Sequence, residues 1–172
     1  MSDDSSRDCD VLIVGGGPAG SACGTRLRKS GLNVVILDKA EFPRDKICAG
    51  WITPPIVRPL ELSTDDYRRD NVLQPITGFR TGVIGRAAAV QTDYDHTVSY
   101  GIRRCEFDNY LLRHSGAELQ LGTPIKSLEK SNERWIVNGE FTARIVIGAG
   151  GHFCPVARRL NSENEHRHNV VQ

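Results

Sequence analysis

The chain has 172 residues, with 22 Lys and Arg against 21 Asp and Glu, so its formal net charge is only +1. This near balance of charges argues against a nucleic-acid-binding protein, which normally carries a basic excess. The hydrophobic share of 39% and the charged share of 25% are those of an ordinary globular protein, and the length suits one domain or one domain plus part of a second.

Several classes of protein are further excluded by the termini and the cysteines. Residues 1–8 are polar and acidic, unlike a secretory signal, and no apolar run approaches the ~20 residues needed to span a bilayer. The five cysteines are widely spaced and contain no CxxC pair, so neither a disulfide framework nor a zinc site is predicted. His166 and His168 resemble a metal pair, but no carboxylate or cysteine constellation supports them. We therefore expect a soluble, cytosolic protein without a metal.

The first 38 residues have the pattern of a β-α-β unit. An apolar, β-branched run at 10–14 predicts a buried strand, and a helix follows the glycines at 15–20 and ends near Gly31. Residues 33–37 predict a second strand, which ends at Asp38. In this context the spacing Gly-x-Gly-x-x-Gly indicates a dinucleotide-binding turn.

Each residue of this turn has a predicted role. Gly15 permits the tight turn, Gly17 lets a pyrophosphate approach the backbone, and Gly20 lets the helix pack closely on the strand. The helix N-terminus offers free N–H groups to the anion. Asp38 is placed to accept a hydrogen bond from a ribose 2′-hydroxyl, and it would repel the 2′-phosphate of NADP. The alternative is a glycine-rich turn that binds nothing.

The middle of the chain has a different pattern. Residues 51–75 contain three prolines and a charge run, which predict loop and short helix. Short strand-like runs occur at 78–80 and 97–100. A helix is predicted at 104–115, with Phe107, Tyr110, Leu111 and His114 near one face.

The last part of the chain returns to strands. Asn138-Gly139 lies between two short runs, 134–137 and 140–142, and predicts a hairpin with a type I′ turn. Residues 143–147 predict a third strand of the parallel sheet, which would place Gly148–Gly151 beside the first glycine turn. Residues 161–172 are polar and predict a loose tail.

Three further segments are distinctive: EFPRDKICAG at 41–50, RCEFDNYL at 104–111, and IVIGAGG at 145–151 followed by PVARR at 155–159. In this order they resemble the FPRxKxCGG, RxxFDxxL and GADGxxSxVRR stretches of the geranylgeranyl reductase family. That family consists of FAD enzymes within the p-hydroxybenzoate-hydroxylase-like group of flavoproteins. The resemblance covers most of residues 8–160.

The resemblance implies an α/β fold with a discontinuous Rossmann-like FAD-binding domain, residues 1–72 and 101–160. Strands at 73–100 would begin an incomplete, β-rich substrate domain. The implied cofactor is FAD, with NAD(P)H as a candidate external electron donor. The implied activity is that of an FAD-dependent oxidoreductase, which reduces C=C bonds of a hydrophobic, isoprenoid-like small molecule. Such a substrate leaves peripheral contact with a membrane open.

The resemblance also implies roles for single residues. Arg104 matches an arginine on the flavin side of FAD, and its alternative is a surface ion pair at a helix start. Cys48 and Gly50 match positions beside the isoalloxazine ring, and the alternative for Cys48 is a buried, inert thiol. Arg44 and Lys46 could meet a phosphate or an anionic substrate, or lie in a solvated loop. The candidate cofactor-binding residues are Gly15, Gly17, Ala19, Gly20, Asp38, Lys39, Cys48, Ala49, Gly50, Arg104, Ile125 and Gly150.

The chain departs from the family pattern at two points. Gly150 stands where the group usually has Asp, so the hydrogen bonds of that carboxylate to FAD or a pyridine nucleotide are missing. No later Gly-Asp motif follows residue 160, so we expect the N-terminal half of a flavoprotein, with little or no activity by itself. Two alternatives stay open: a flavin-dependent monooxygenase, and a truncated, non-catalytic nucleotide-binding protein.

Overall fold

The structure is a computed structural model, and it describes residues 6–160. These residues form two compact units, 6–44 together with 108–160, and 45–107. The second unit is longer than the predicted strand region 73–100, because residues 51–52 pair with the strand at 99–102. The division of the chain into a Rossmann-like domain, residues 1–72 and 101–160, and a strand region, 73–100, stays a prediction. The predicted tail, with His166 and His168, lies outside the described residues.

The elements alternate between strands and short helices along the chain. The strands are β1 (Arg7–Val14), β2 (Val34–Leu37), β3 (Trp51–Ile52), β4 (Leu73–Ile76), β5 (Gly78–Gly82), β6 (Ala89–Asp93), β7 (Ser99–Ile102), β8 (Glu118–Gln120), β9 (Leu128–Ser131), β10 (Arg134–Val137) and β11 (Phe141–Gly148). The α-helices are α1 (Pro18–Leu27), α2 (Thr64–Asp70), α3 (Arg104–Arg113) and α4 (Pro155–Leu160), and short 3₁₀ turns cover Pro54–Ile56 and Gly151–Phe153.

The first unit is built on a six-stranded sheet in the order β8-β2-β1-β11-β10-β9. β8, β2, β1 and β11 run parallel, and β10 and β9 extend the sheet in antiparallel pairing. β1 is central and buried on both faces: Leu12 packs with Val35 and Phe141, while Ile13 packs on the other face with Ile36. This burial explains the uninterrupted apolar run that predicted the strand. The α/β prediction with a parallel sheet is confirmed.

The hairpin prediction is also confirmed. Asn138 and Gly139 have φ values of +56° and +71°, as a type I′ turn requires. The Asn138 side chain adds a second function, because its Oδ1 accepts from Lys126 N at 2.7 Å and its Nδ2 donates to Pro124 O at 3.0 Å. The runs predicted at 140–142 and 143–147 form one continuous strand, β11.

The second unit contains a three-stranded antiparallel sheet, β3-β7-β4, and the separate hairpin β5-β6. The region 51–75 is predicted as loop and short helix. It contains the helix α2 and, in addition, the strand β3 and part of the strand β4. α2 begins after Ser63, whose hydroxyl accepts from Asp66 N at 3.3 Å as an N-cap. Its Tyr67 is fully buried, edge-on to Phe107.

The buried face of α3 differs from the prediction. Phe107 and Leu111 are buried as expected, but Asp108 and Leu112 complete the buried face. His114 is exposed, and its ring stacks on Tyr110 with centroids 4.0 Å apart. Across residues 6–160, no helix has both the length and the apolar character needed to cross a membrane.

Candidate cofactor-binding site

The glycine turn connects β1 directly to α1 in the first unit. Gly17 is the N-cap of α1, and Pro18 occupies its first position, where a missing N–H costs nothing. Gly15 N donates to Leu37 O at 2.7 Å, which ties the turn to the end of β2. The first turn of α1 contains no acidic side chain. The N-terminal N–H groups of the helix are therefore suited to an external anion.

Three glycines of the turn are explained by three different surroundings. Gly15 has φ +115°, and a Cβ there would lie 2.5 Å from Ala149 O. A Cβ at Gly20 would lie 1.9 Å from Gly15 O, so α1 can rest on the turn only if residue 20 has no side chain. Gly17 is extended, and the nearest neighbour of a Cβ there would be Arg44 Nη2 at 3.5 Å. The fold does not require glycine at 17, and the missing side chain leaves space beside the helix N-terminus that fits a pyrophosphate.

Asp38 follows β2 and binds the turn through its carboxylate. Its Oδ2 accepts from Gly16 N at 2.7 Å, and its Oδ1 accepts from Ala40 N at 2.9 Å. Each carboxylate oxygen has a further lone pair, so a ribose hydroxyl can also donate to it. The ribose contact of Asp38 stays a prediction, and sequence reasoning missed that its carboxylate holds the turn in place.

A group of side chains from residues 42–44 and α3 supports the turn. A Cβ at Gly16 would lie 3.2 Å from the Leu112 methyl groups and 3.4 Å from Phe42 Cζ, so the turn rests on an apolar base. The Arg44 guanidinium lies over the Phe42 ring, with Cζ 4.8 Å from the ring centroid. Its Nη2 is 3.3 Å from Oδ2 of the buried Asp108. Arg44 therefore does not lie in a solvated loop, whereas Lys46 is exposed.

The end of β11 lies beside the turn, as the sequence predicts. Ala149 N donates to Val14 O at 2.8 Å, and Gly150 Cα is 2.7 Å from the position of a Cβ at Gly15. Gly150 itself has φ −77°, which any residue can adopt. A Cβ at Gly150 would lie 3.2 Å from Cys154 Cα. An acidic residue at 150 would therefore require a small shift of Cys154.

Another set of candidate residues belongs to the second unit. Ile102 N donates to Gly50 O at 2.7 Å, and a Cβ at Gly50, where φ is +72°, would lie 2.7 Å from Ile102 O. This close backbone contact joins Gly50 to the end of β7, two residues before Arg104, the first residue of α3. The roles beside the flavin stay predictions for Cys48, Ala49, Gly50 and Arg104.

The cysteines differ strongly in their surroundings, and none of the five forms a disulfide. Cys48 is exposed, so the alternative of a buried, inert thiol at this position is wrong. Burial, together with Asp8 and Asp10, raises the pKa of Cys9 to about 11, and burial also raises the pKa of Cys23. At neutral pH those two thiols are therefore protonated and unreactive.

The remaining candidates lie in the first unit. Ala19 and Lys39 are exposed, at the start of α1 and after Asp38. Ile125 is half-buried and packs against the core around Val14. Sequence reasoning gave no role to Phe42, Leu112 or Asp108. The FDxxL stretch in the sequence predicts the helix α3, but it does not show that Asp108 contacts Arg44.

Comparisons with known proteins identify the family of the chain. A family model described as FAD binding domain matches residues 8–172. Menaquinone reductase of Mycobacterium tuberculosis is 31% identical over 172 residues, an alignment that covers 93% of this chain and 41% of that protein. Digeranylgeranylglycerophospholipid reductase 3 of Methanosphaera stadtmanae is 29% identical, covering 88% of this chain and 41% of that protein.

Among solved structures, halogenase PltM in complex with phloroglucinol and FAD is similar with a TM-score of 0.72 and 25% identity. That match covers 89% of this chain and 36% of the halogenase. The chain therefore spans 41% of the length of both curated relatives and a smaller share of this structure.

Proposed function

The chain belongs to the FAD binding domain family, and from that premise we propose that it supplies the dinucleotide-binding part of an FAD-dependent reductase. When bound, FAD supplies the redox chemistry, which in this proposal is hydride transfer to a C=C bond of a hydrophobic, isoprenoid-like substrate. NAD(P)H is the proposed external electron donor. We further propose a cytoplasmic protein in peripheral contact with the membrane that contains such a substrate.

The observation on which the proposal rests is the open turn at Gly17. Nearest to the space that the missing side chain leaves is Arg44 Nη2, 3.5 Å from where a Cβ would lie. The N–H groups of α1 and this guanidinium can share the charge of a pyrophosphate, while Asp38 can accept from the ribose. In this proposal the first unit holds the adenine half of FAD.

The isoalloxazine end is assigned by resemblance. Cys48, Ala49, Gly50 and Arg104 are proposed to lie beside the flavin ring. The task of these residues is to orient the ring and to tune its electronics, because the cofactor itself performs the hard chemistry. That two relatives are named as reductases supports reduction as the reaction of the whole protein.

A flavin-dependent monooxygenase is the second candidate. It is supported by the similarity to the halogenase crystallised with FAD, at 25% identity over 89% of this chain. It would keep the same cofactor site. The stretch at Cys48 to Gly50, which resembles the reductase motif, favours the reductase.

The proposal is tested first by binding and then by product. Calorimetric titration should show FAD binding to the chain, with ADP as a competitor for the same site. The chain is then incubated with FAD, dithionite and a polyprenol without oxygen, and the product is analysed by mass spectrometry. A gain of two hydrogens per double bond supports the reductase, and a gain of one oxygen in air supports the monooxygenase.

The matched control for this experiment is the Gly17→Val variant with the same amount of free FAD. It measures what reduced flavin does in solution without the site. A chain that binds neither FAD nor ADP would overturn the proposal. Binding without either product would agree both with the low activity expected of this chain by itself and with the non-catalytic alternative.

A further inference from the structure

We propose that Asp108 is a positioning residue of the cofactor site, whose buried carboxylate holds the Arg44 guanidinium beside Gly17 for contact with the pyrophosphate. This inference rests on the proposed function, because it requires a diphosphate at the glycine turn. It assigns a role in the cofactor site to an acid that is fully buried.

The same face of α3 contacts the backbone of the glycine turn and the Arg44 side chain beside that turn. Asp108 and Leu112 are four residues apart, so they lie on the same face of the helix. Leu112 packs beneath Gly16, and Asp108 contacts Arg44 at 3.3 Å. A single helix therefore sets the positions of two parts of the site.

The burial of Asp108 is energetically expensive unless its charge is used. Its side chain is 0% exposed and that of Arg44 is 21% exposed, so this is not a surface ion pair. An unpaired carboxylate at such depth would lose its hydration without compensation, which is strongly unfavourable. Arg44 supplies a charge partner for the buried carboxylate of Asp108. The Phe42 ring, on which the Arg44 guanidinium stacks, helps to fix the orientation of that guanidinium.

Arg44 has donor capacity left after it contacts Asp108. Its Nη1 is buried and has no hydrogen-bond partner among residues 6–160. A guanidinium carries five N–H donors in a rigid fork, which matches two oxygens of a phosphate. The atoms nearest to the open side of Gly17 include Arg44 Nη2. The chemistry and the place both point to a phosphate ligand.

Asp108 helps binding only through Arg44. A long arginine side chain loses rotamer freedom when it orders on a ligand, and a partner that orders it beforehand reduces that loss. The charge of Asp108 itself is negative and repels a diphosphate. Without Arg44, removal of the Asp108 charge should therefore leave diphosphate affinity unchanged or increase it.

The experiment compares the effect of removing the Asp108 charge on ADP affinity in the presence and in the absence of Arg44. Affinities for ADP and for adenosine are measured by titration for the wild type, Asp108→Asn, Arg44→Met and the double variant. We expect Asp108→Asn to lower ADP affinity about tenfold, as for a weakened charge-assisted hydrogen bond, with little change for adenosine. In the Arg44→Met background, Asp108→Asn should not lower ADP affinity further. Glu118→Gln, an exposed acid on β8, is the control for the change in net charge.

Each outcome decides the inference. Equal losses for ADP and adenosine in Asp108→Asn would show a purely structural role and would overturn it. If Asp108→Asn does not fold, the double variant is compared with Arg44→Met, and weaker ADP binding by the double variant would overturn it. A wild type that binds neither FAD nor ADP would overturn the proposed function together with this inference. Wild-type binding that Asp108→Asn leaves intact would overturn the inference alone.

Discussion

The two groups of candidate cofactor residues differ in what holds them. Around Gly15–Gly20 the neighbours are backbone atoms and buried side chains, and Asp38 ties the turn with two hydrogen bonds. Around Cys48–Gly50 the chain is largely exposed, and a close backbone contact with Ile102 anchors it. The diphosphate end of the proposed site is thus formed by the fold itself. At the proposed flavin end, Cys48 and Ala49 are exposed, and Gly50 is held through its backbone.

The largest effect is expected from the glycines of the turn, where binding and folding can be separated. Gly17→Val should abolish FAD binding while the fold persists, because residue 17 has an ordinary backbone conformation and a Cβ there makes only a van der Waals contact with Arg44 Nη2 at 3.5 Å. Gly20→Ala should instead destabilise the protein by about 3 kcal/mol or more, because its Cβ meets a backbone carbonyl. Titration with FAD and urea unfolding measure the two effects.

The contrast between these two variants matters more than either result alone. Gly31→Ala, a glycine with open space around it, gives the baseline for a substitution at a positive φ far from the turn. If Gly17→Val unfolds the chain, then Gly17 is a structural glycine. If it binds FAD normally, then the cofactor does not cross this turn.

A smaller effect is expected at Asp38, because it serves both the fold and the ligand. Asp38→Ala should weaken FAD binding by about 1–3 kcal/mol, the usual cost of a lost charge-assisted hydrogen bond. It should also lower the free energy of unfolding, because Gly16 N and Ala40 N lose their acceptor. Comparison of ADP with 2′-deoxy-ADP separates these effects. The wild type should prefer ADP and the variant should not, and equal preference in both would remove Asp38 from the ribose site.

The smallest effect concerns the exposed region of the second unit. Iodoacetamide at pH 8 should label Cys48 and leave Cys9 unmodified, because the pKa of Cys9 is raised to about 11. If Cys48 lies beside the isoalloxazine ring, saturating FAD should slow its labelling while ADP should not. Peptide mass spectrometry measures each site. Equal protection by FAD and ADP, or by neither, would contradict the assignment of Cys48 to the flavin ring.

Local patterns in the sequence predicted the parts of the fold that depend on near neighbours. The β1-α1-β2 unit and the Asn138-Gly139 turn follow from periodicity and from residues that tolerate positive φ. The partner of Arg44 could not be predicted in this way. Asp108 lies about sixty residues further along the chain, and apolar periodicity places polar residues on the outside of a helix. A buried acid is therefore visible only when the packing of α3 is known.

The pairing of β3 with β7 could not be predicted from local patterns for a related reason. Residues 45–52 contain no periodic signal, and Trp51 and Ile52 pair with a strand about fifty residues further along the chain. Pairing between strands that are far apart in sequence depends on the sheet as a whole.

The central position of β1 has a consequence for the synthesis of the protein. β1 pairs with β2 through the nearby α1 crossover, but its other edge pairs with β11, from Arg7 opposite Phe141 to Val14 opposite Gly148. During translation, one edge of the apolar strand β1 therefore stays unpaired until roughly 130 further residues have been synthesised. Such long-range parallel pairing is also slow to form. An open, apolar strand edge invites pairing with other chains. The nascent protein should thus depend on chaperones until β11 emerges, and slowed translation before residue 141 should increase aggregation.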